Sequence, residues 1–208
     1  MVKSIWEGSS IYNRRIDVLL LCTANQCRSP MAEVMLRHRL EQRGVTATVA
    51  SAGLYPSGSP ATDDAVQVMA DRGLDLRAHR SRRIDAELID DADLIIGMTR
   101  EHVREIAVVD TEALHRAFTL KELVRAGMAM GPRHHDQSIA AWLRRAGHGR
   151  KRESLLGVGH DDAYDVEDPV GRPRADYEVT ADELDSLLAR LVALLWPKAA
   201  NQHRERTA

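Results

Sequence analysis

The sequence predicts an α/β fold with parallel strands, and three observations carry that reading. A largely apolar run, Ile16 to Leu21, stops at a polar loop; a helix signature opens directly after the loop; and further short apolar runs alternate with helical stretches down the chain. Strands covered on both faces read as continuous apolar runs, because neither face meets water. Alternation of such strands with helices implies parallel pairing through right-handed crossovers.

Taken in order, residues 1–15 (MVKSIWEGSSIYNRR) have no periodicity and read as an N-terminal arm. Ile16 to Leu21 is the first strand. Beyond the polar loop, Ser29-Pro30 has the form of an N-cap followed by proline at the first helical position, and MAEVMLRHRLEQR continues to a stop at Gly44. Val45 to Ser51 is rich in β-branched residues and alternates, a second strand ending at Ala52-Gly53. Ser59-Pro60 is expected to open the next helix, ATDDAVQVMADR, with Gly73 at its end. Ile84 to Ala92 reads as a short helix, Asp93 to Met98 as a third strand, and Thr99 to Val108 as a helix capped by Thr99. Phe118-Thr119 is a short fourth strand and Leu120 to Ala126 a helical turn. Residues 127–162 then collect six glycines and Pro132 around one helical stretch, Gln137 to Arg145, and read as an insertion. Tyr177 to Trp196 is an amphipathic final helix, and 197–208 a polar tail.

A chain of 208 residues suits one domain spanning 16–196 with that insertion, rather than two small domains. A net charge of -2 gives no global attraction to nucleic acid, so any charge argument is local. Ile16 to Cys22 is far too short to span a bilayer and residues 1–15 lack the apolar core of a secretory signal, so a cytoplasmic location is expected. His134, His135, His148 and His160 match no metal-ligand spacing, and no metal or cofactor is expected. From Arg133 to Arg152 six Lys or Arg face one Asp; a solvated basic face is the plainer reading, docking of an acidic partner the sharper one.

The chemistry is concentrated in CTANQCRSP, which holds both cysteines of the chain, Cys22 and Cys27. Two neighbouring cysteines make neither a disulfide framework nor a four-thiolate zinc site. A loop between a parallel strand and a helix turns its N–H groups toward one point, where the helix dipole adds positive potential; such a place holds phosphate and favours a thiolate. Cys22 stands at the strand end as a nucleophile, and Arg28 can grip two phosphoryl oxygens with its planar fork. The polar Thr23, Asn25 and Gln26 between them fit an anion loop.

CTANQCRSPMAE resembles the phosphate loop of the low-molecular-weight protein tyrosine phosphatases. Further segments agree in order: SAG at 51–53, GLDLRAHRSRRI at 73–84, DLIIGMT at 93–99, and DP at 168–169 ahead of the last helix. The resemblance implies a three-layer α/β/α fold with a four-stranded parallel sheet and a phosphorylated protein as substrate. It implies phosphate bound by Cys22, Thr23, Ala24, Asn25, Gln26, Cys27, Arg28 and Ser29. Cys22 would be the nucleophile and Arg28 the phosphate clamp. Ser29 would donate to the thiolate, and Asn25 would brace the loop with His79 as partner. Asp168 would be the acid that protonates the leaving oxygen and then activates water against phosphocysteine, with Asp165 next in line. Cys27 would trap oxidised Cys22 as a disulfide, or simply pack behind the loop. Tyr55 would form one wall of the substrate slot.

Some residues depart from the family pattern. Ala24 stands where glycine is common, Thr99 where aspartate often follows the methionine, and Val170-Gly171-Arg172-Pro173 lacks the adjacent tyrosines of many members. The bacterial protein arginine phosphatases are similar in DP, glycine and a DYEVTADEL-like run, and Gln26 matches neither group. Arsenate reduction needs a relay of further cysteines, and none follows residue 27. A module that binds a phosphorylated partner without turnover is the remaining alternative, opposed by intact Cys22, Arg28 and Asp168.

Overall fold

The computed structural model describes residues 15–55, 58–150 and 161–198. The arm at 1–15 and the tail from 197 therefore lie outside the described residues except for Arg15, Pro197 and Lys198, as do His160, Lys151 and Arg152. Four parallel strands, β1 (Ile16–Cys22), β2 (Ala47–Gly53), β3 (Leu94–Gly97) and β4 (Ala117–Thr119), pair in the order β2-β1-β3-β4. The helices are α1 (Arg28–Gln42), α2 (Asp63–Asp71), α3 (Ala86–Asp91), α4 (Arg100–Val109), α5 (Leu120–Met130), α6 (Ile139–Ala146) and α7 (Arg174–Leu195).

Strand β1 explains the layering. Its side chains alternate between faces, so Val18, Leu20 and Cys22 enter the larger core beneath α1, α5 and α7, while Leu19 and Leu21 enter the smaller one with Ile89, Val103 and Ile106. Burying each leucine contributes about 1.5–3 kcal/mol, and all three leucines of LLL are buried. The pattern is continuous in sequence because both faces are covered, which is the expected three-layer α/β/α arrangement with a four-stranded parallel sheet. β1 has β2 on one side and β3 on the other. Connections leaving β1 and β3 diverge there, opening a crevice at the strand C-termini.

Several helix starts differ from the sequence expectation, among them two beside the loop and that of the last helix, expected from Tyr177. Helix α1 begins at Arg28 with Cys27 as N-cap, and Ser29 is free of capping duty. Helix α2 begins at Asp63 with Thr62 as its cap, not at Ser59-Pro60. The reason is local: Thr62 N–H donates to the Gln26 carbonyl at 2.9 Å and Gly58 N–H to the Ser81 carbonyl at 2.8 Å, holding the segment extended across the loop before the helix can start. The last helix starts at Arg174, directly after Pro173, with Arg174 paired to Asp71 and Glu178.

Helix α5 runs through Met130, past the expected end at Ala126. In the described part of 127–162, Trp142 and Leu143 are buried in the larger core, and a Cβ on Gly127 would come within 2.8 Å of both the Trp142 ring and Leu194. Arg133 N–H donates to the Leu194 carbonyl at 2.8 Å and its Nε to the Leu195 carbonyl at 2.7 Å. This stretch packs beside the strand starts, sharing a cavity with Ile16 and Thr46, at the end of the sheet opposite Cys22.

Gly53 ends β2 directly under the loop after β1. A Cβ there would lie 2.8 Å from Asn25 N and 2.9 Å from the Thr23 carbonyl oxygen, both backbone atoms that cannot rotate aside. Gly53→Ala is therefore expected to destabilise the fold by about 1–3 kcal/mol, read as a loss in urea midpoint. An unchanged midpoint would mean that the loop yields freely.

Candidate active site

The loop from Thr23 to Cys27 curls because one residue accepts a left-handed backbone. Among the described non-glycine residues only Asn25 has positive φ, 53°. Asparagine enters this region more readily than most side chains. Ala24, the position where glycine is common in the resemblance, does not need it.

Asn25 is fully buried, and its hydrogen bonds run in every direction. Its Nδ2 donates to Ser29 Oγ at 3.0 Å and to Ser51 Oγ at 2.8 Å, while its Oδ1 accepts from Arg82 N–H at 3.0 Å. His79 Nε2 lies 2.7 Å from the Asn25 carbonyl oxygen, so His79 contacts the backbone of Asn25 and not its amide. Because Asn25 donates into both hydroxyls, the proton of each turns away from it. Ser29 donates to Cys22 Sγ at 3.0 Å, and Ser51 donates to Glu33 Oε2 at 2.6 Å.

Arg28 is held at two of its three nitrogens. Nη1 donates to the Val166 carbonyl at 3.1 Å, and Nη2 to Asp168 Oδ2 at 2.5 Å and Thr23 Oγ1 at 3.3 Å. Its Nε is buried with no partner among the described residues. A buried donor left unpaired costs about 1–3 kcal/mol, so this atom is suited to take an anion's oxygen. Thr23, Arg28, Thr99, Glu101, Val166, Glu167 and Asp168 line a cleft of about 390 Å³ at the strand ends.

Asp168 reaches that cleft from a segment 140 residues away in sequence. Val166 N–H donates to the Met98 carbonyl at 2.8 Å, extending the line of β3. Asp165 is buried, accepts from Arg100 N–H at 2.8 Å and Asp161 N–H at 2.9 Å, and so anchors the segment instead of facing the cleft. Tyr164 is sandwiched between Arg100 and Arg125, 5.4 and 4.6 Å from its ring centre. Asp168 itself is 42% exposed, open to a substrate.

Cys27 is a free, buried thiol. Burial pushes it up, the charges at Cys22 and Asp168 add to this, and Arg28 opposes them, so it stays protonated. Gln26 contributes its carbonyl to Thr62. Tyr55 is 59% exposed, next to Leu54, whose N–H donates to the Thr23 carbonyl at 2.8 Å. Among the described residues no cluster of three or more metal-ligating side chains occurs.

Sequence reasoning missed Glu33, Arg82 and His102. His102 is fully buried, and its Nδ1 accepts from Thr99 N–H at 2.9 Å while Nε2 lies 3.2 Å from Thr23 Oγ1. The signal was present: Thr99 and His102 have capping-box spacing, with histidine where Glu or Gln is usual.

The family model for low molecular weight phosphotyrosine protein phosphatase matches residues 17–131. The chain is 32% identical over 181 residues to a protein-arginine-phosphatase of Bacillus subtilis (strain 168), covering 86% of this chain and 97% of that one. It is 38% identical over 97 residues to the low molecular weight protein-tyrosine-phosphatase Etp of Escherichia coli (strain K12), covering 46% and 63%. Among solved structures, a low molecular weight protein tyrosine phosphatase from T. tengcongensis matches with TM-score 0.66 and 31% identity over 86% of this chain and 99% of that one. The YwlE arginine phosphatase from Geobacillus stearothermophilus matches with TM-score 0.61 and 30% identity over 85% and 90%.

Burial, with the Arg28 and Arg104 charges, pulls the His102 ring down to about 3 from its ordinary 6.5. Below about 6.5 the unfolded ring takes a proton that the folded ring refuses, so stability falls as pH falls, by up to about 1.4 kcal/mol per pH unit. Urea unfolding between about pH 6 and 4.5 is expected to show a shallower pH slope in His102→Gln than in wild type. Equal slopes would mean that the ring is not held neutral.

Proposed function

The chain belongs to the low molecular weight phosphotyrosine protein phosphatase family, and from that membership we propose that it removes phosphate from protein tyrosine side chains through a phosphocysteine at Cys22. It is a cysteine-dependent phosphatase. The observation that carries the residue assignment is the unpaired Nε of Arg28, buried beside the cleft in a loop whose hydrogen bonds end on Cys22 Sγ.

In this mechanism Arg28 Nε and the loop N–H groups hold the phosphoryl oxygens. Cys22 Sγ attacks phosphorus, and the bond to the leaving oxygen breaks as Asp168 protonates that oxygen. The resulting carboxylate takes a proton from water, which attacks phosphocysteine and releases phosphate and the thiolate. Asp168 begins as a carboxylate paired with Arg28; a substrate phosphate monoanion that displaces it from Nη2 brings the proton that Asp168 then passes to the leaving oxygen. Ser29 stabilises the departing thiolate, while Asn25 and His79 hold the loop in shape. Tyr55 offers an exposed ring to an aryl substrate. Cys27 condenses with a sulfenic acid at Cys22 to form a disulfide and water, protecting the nucleophile.

Phosphoarginine is the second reading, favoured by one observation. Glu101, Glu167 and Asp168 together line the cleft, a negative surround better suited to a guanidinium than to a neutral phenol. An acidic protein partner is the narrower part of the proposal, supported by exposed Arg144 and Arg145 on α6, whereas Arg150 is bound internally to Glu122. The proposed setting is cytoplasmic; no helix of the described residues is long and apolar enough to cross a membrane.

Turnover of phosphotyrosine peptide, phosphoarginine peptide and aryl phosphates by the full chain tests these assignments. Cys22→Ser is expected to abolish phosphate release from all of them, and retained activity would remove the nucleophile assignment. Asp168→Asn is expected to lower kcat by about 10²–10⁴-fold with poor leaving groups and much less with an acidic phenol. An equal loss across leaving groups would remove the acid role. Preference for phosphoarginine over phosphotyrosine would select the second reading.

A further inference from the structure

Thr23 Oγ1 has two incoming donors and no described acceptor. The Thr99 N–H at 2.9 Å can only donate, so His102 Nδ1 carries no proton and the neutral ring bears its hydrogen on Nε2. That N–H points at Thr23 Oγ1 across 3.2 Å, and Arg28 Nη2 reaches the same oxygen across 3.3 Å. A hydroxyl oxygen has two acceptor positions and one proton. With both positions filled, the proton of Thr23 has only the cleft left, where Arg28 and Asp168 lie.

We propose that Thr23 Oγ1–H donates a hydrogen bond to an oxygen of the phosphoryl group bound over Cys22, and that His102 is the positioning residue that sets the direction of that proton. The assignment rests on the phosphate-binding reading of the same loop. His102 is suited to it because a buried ring that stays neutral keeps one donor nitrogen and one acceptor nitrogen at every working pH. Helix α4 supplies the rigidity: His102 sits at its third position, tied to the Thr99 backbone, so the Nε2–H is aimed by the same bond that starts the helix. A glutamate there would keep the cap yet present an acceptor, and would turn the threonine proton away from the cleft.

Calorimetric binding of inorganic phosphate to the full chain tests the idea without turnover, so failure of the hydrolase reading leaves it standing. Thr23→Val is expected to weaken phosphate binding about tenfold, and Thr23→Ser to stay within about twofold of wild type. His102→Leu is expected to show a similar loss that disappears in the Thr23→Val background, with His102→Gln restoring most of it. If Thr23→Val binds phosphate as wild type does, the proposal is overturned. It is equally overturned if His102→Leu costs as much in the Thr23→Val background as alone, since His102 would then act through the fold. Should His102→Leu fail to fold, the comparison of Thr23→Val with Thr23→Ser decides the hydroxyl and His102→Gln in the Thr23→Val background decides the coupling.

Discussion

The site depends on one side-chain amide. Asn25 carries the only described positive φ outside glycine, and its amide ties the loop to α1, to β2 and to the backbone at Arg82. Because it donates to two hydroxyls at once, the protons of both turn away from it. Ser29 is thereby aimed at sulfur and Ser51 at Glu33. Buried polar groups are costly unless they are partnered, and both amide hydrogens and the amide oxygen of Asn25 have partners. Gly53 completes the constraint from the other side by letting β2 come within van der Waals distance of the loop backbone.

Arg28 is treated differently. It is pinned at Nη1 by a backbone carbonyl and at Nη2 by Asp168 and Thr23, yet Nε is left open. A guanidinium held at its far end loses little further freedom on meeting a ligand, which is how rigid clamps bind tightly. The cleft is therefore preorganised by groups from the ends of β1 and β3 and from the segment before α7, the arrangement that a change in strand order creates.

Much of this was legible in the sequence. The run IDVLLL could only be a doubly covered strand, and the position of Cys22 at its end with Arg28 at the helix start follows from that strand and helix alone. What was not legible had physical reasons. Ser29-Pro30 imitates a helix cap, but its hydroxyl is required by sulfur, and the helix starts earlier, at Arg28. Ser59-Pro60 imitates another, but the chain is held extended by bonds to Gln26 and Ser81, which are remote in sequence. In the described part of 127–162, whose glycines suggested an insertion, Gly127 admits the Trp142 ring against α7, a contact between residues that sequence spacing does not reveal. His102 escaped notice because its role comes from two contacts, one local to α4 and one to a loop 79 residues away.

The distance in sequence between Arg28 and its partners has a consequence for how the protein comes into being. Its bonds to Val166 and Asp168 close loops of 138 and 140 residues. Closing such loops is entropically slow, and during synthesis neither partner exists until long after the loop itself has been made. The loop after β1, its bracing asparagine and the β1–β2 pairing all lie within residues 16–53 and can assemble early. Arg28, the proposed phosphate clamp, thus receives its last restraints only when the segment before α7 docks, so that the proposed site is completed late in folding.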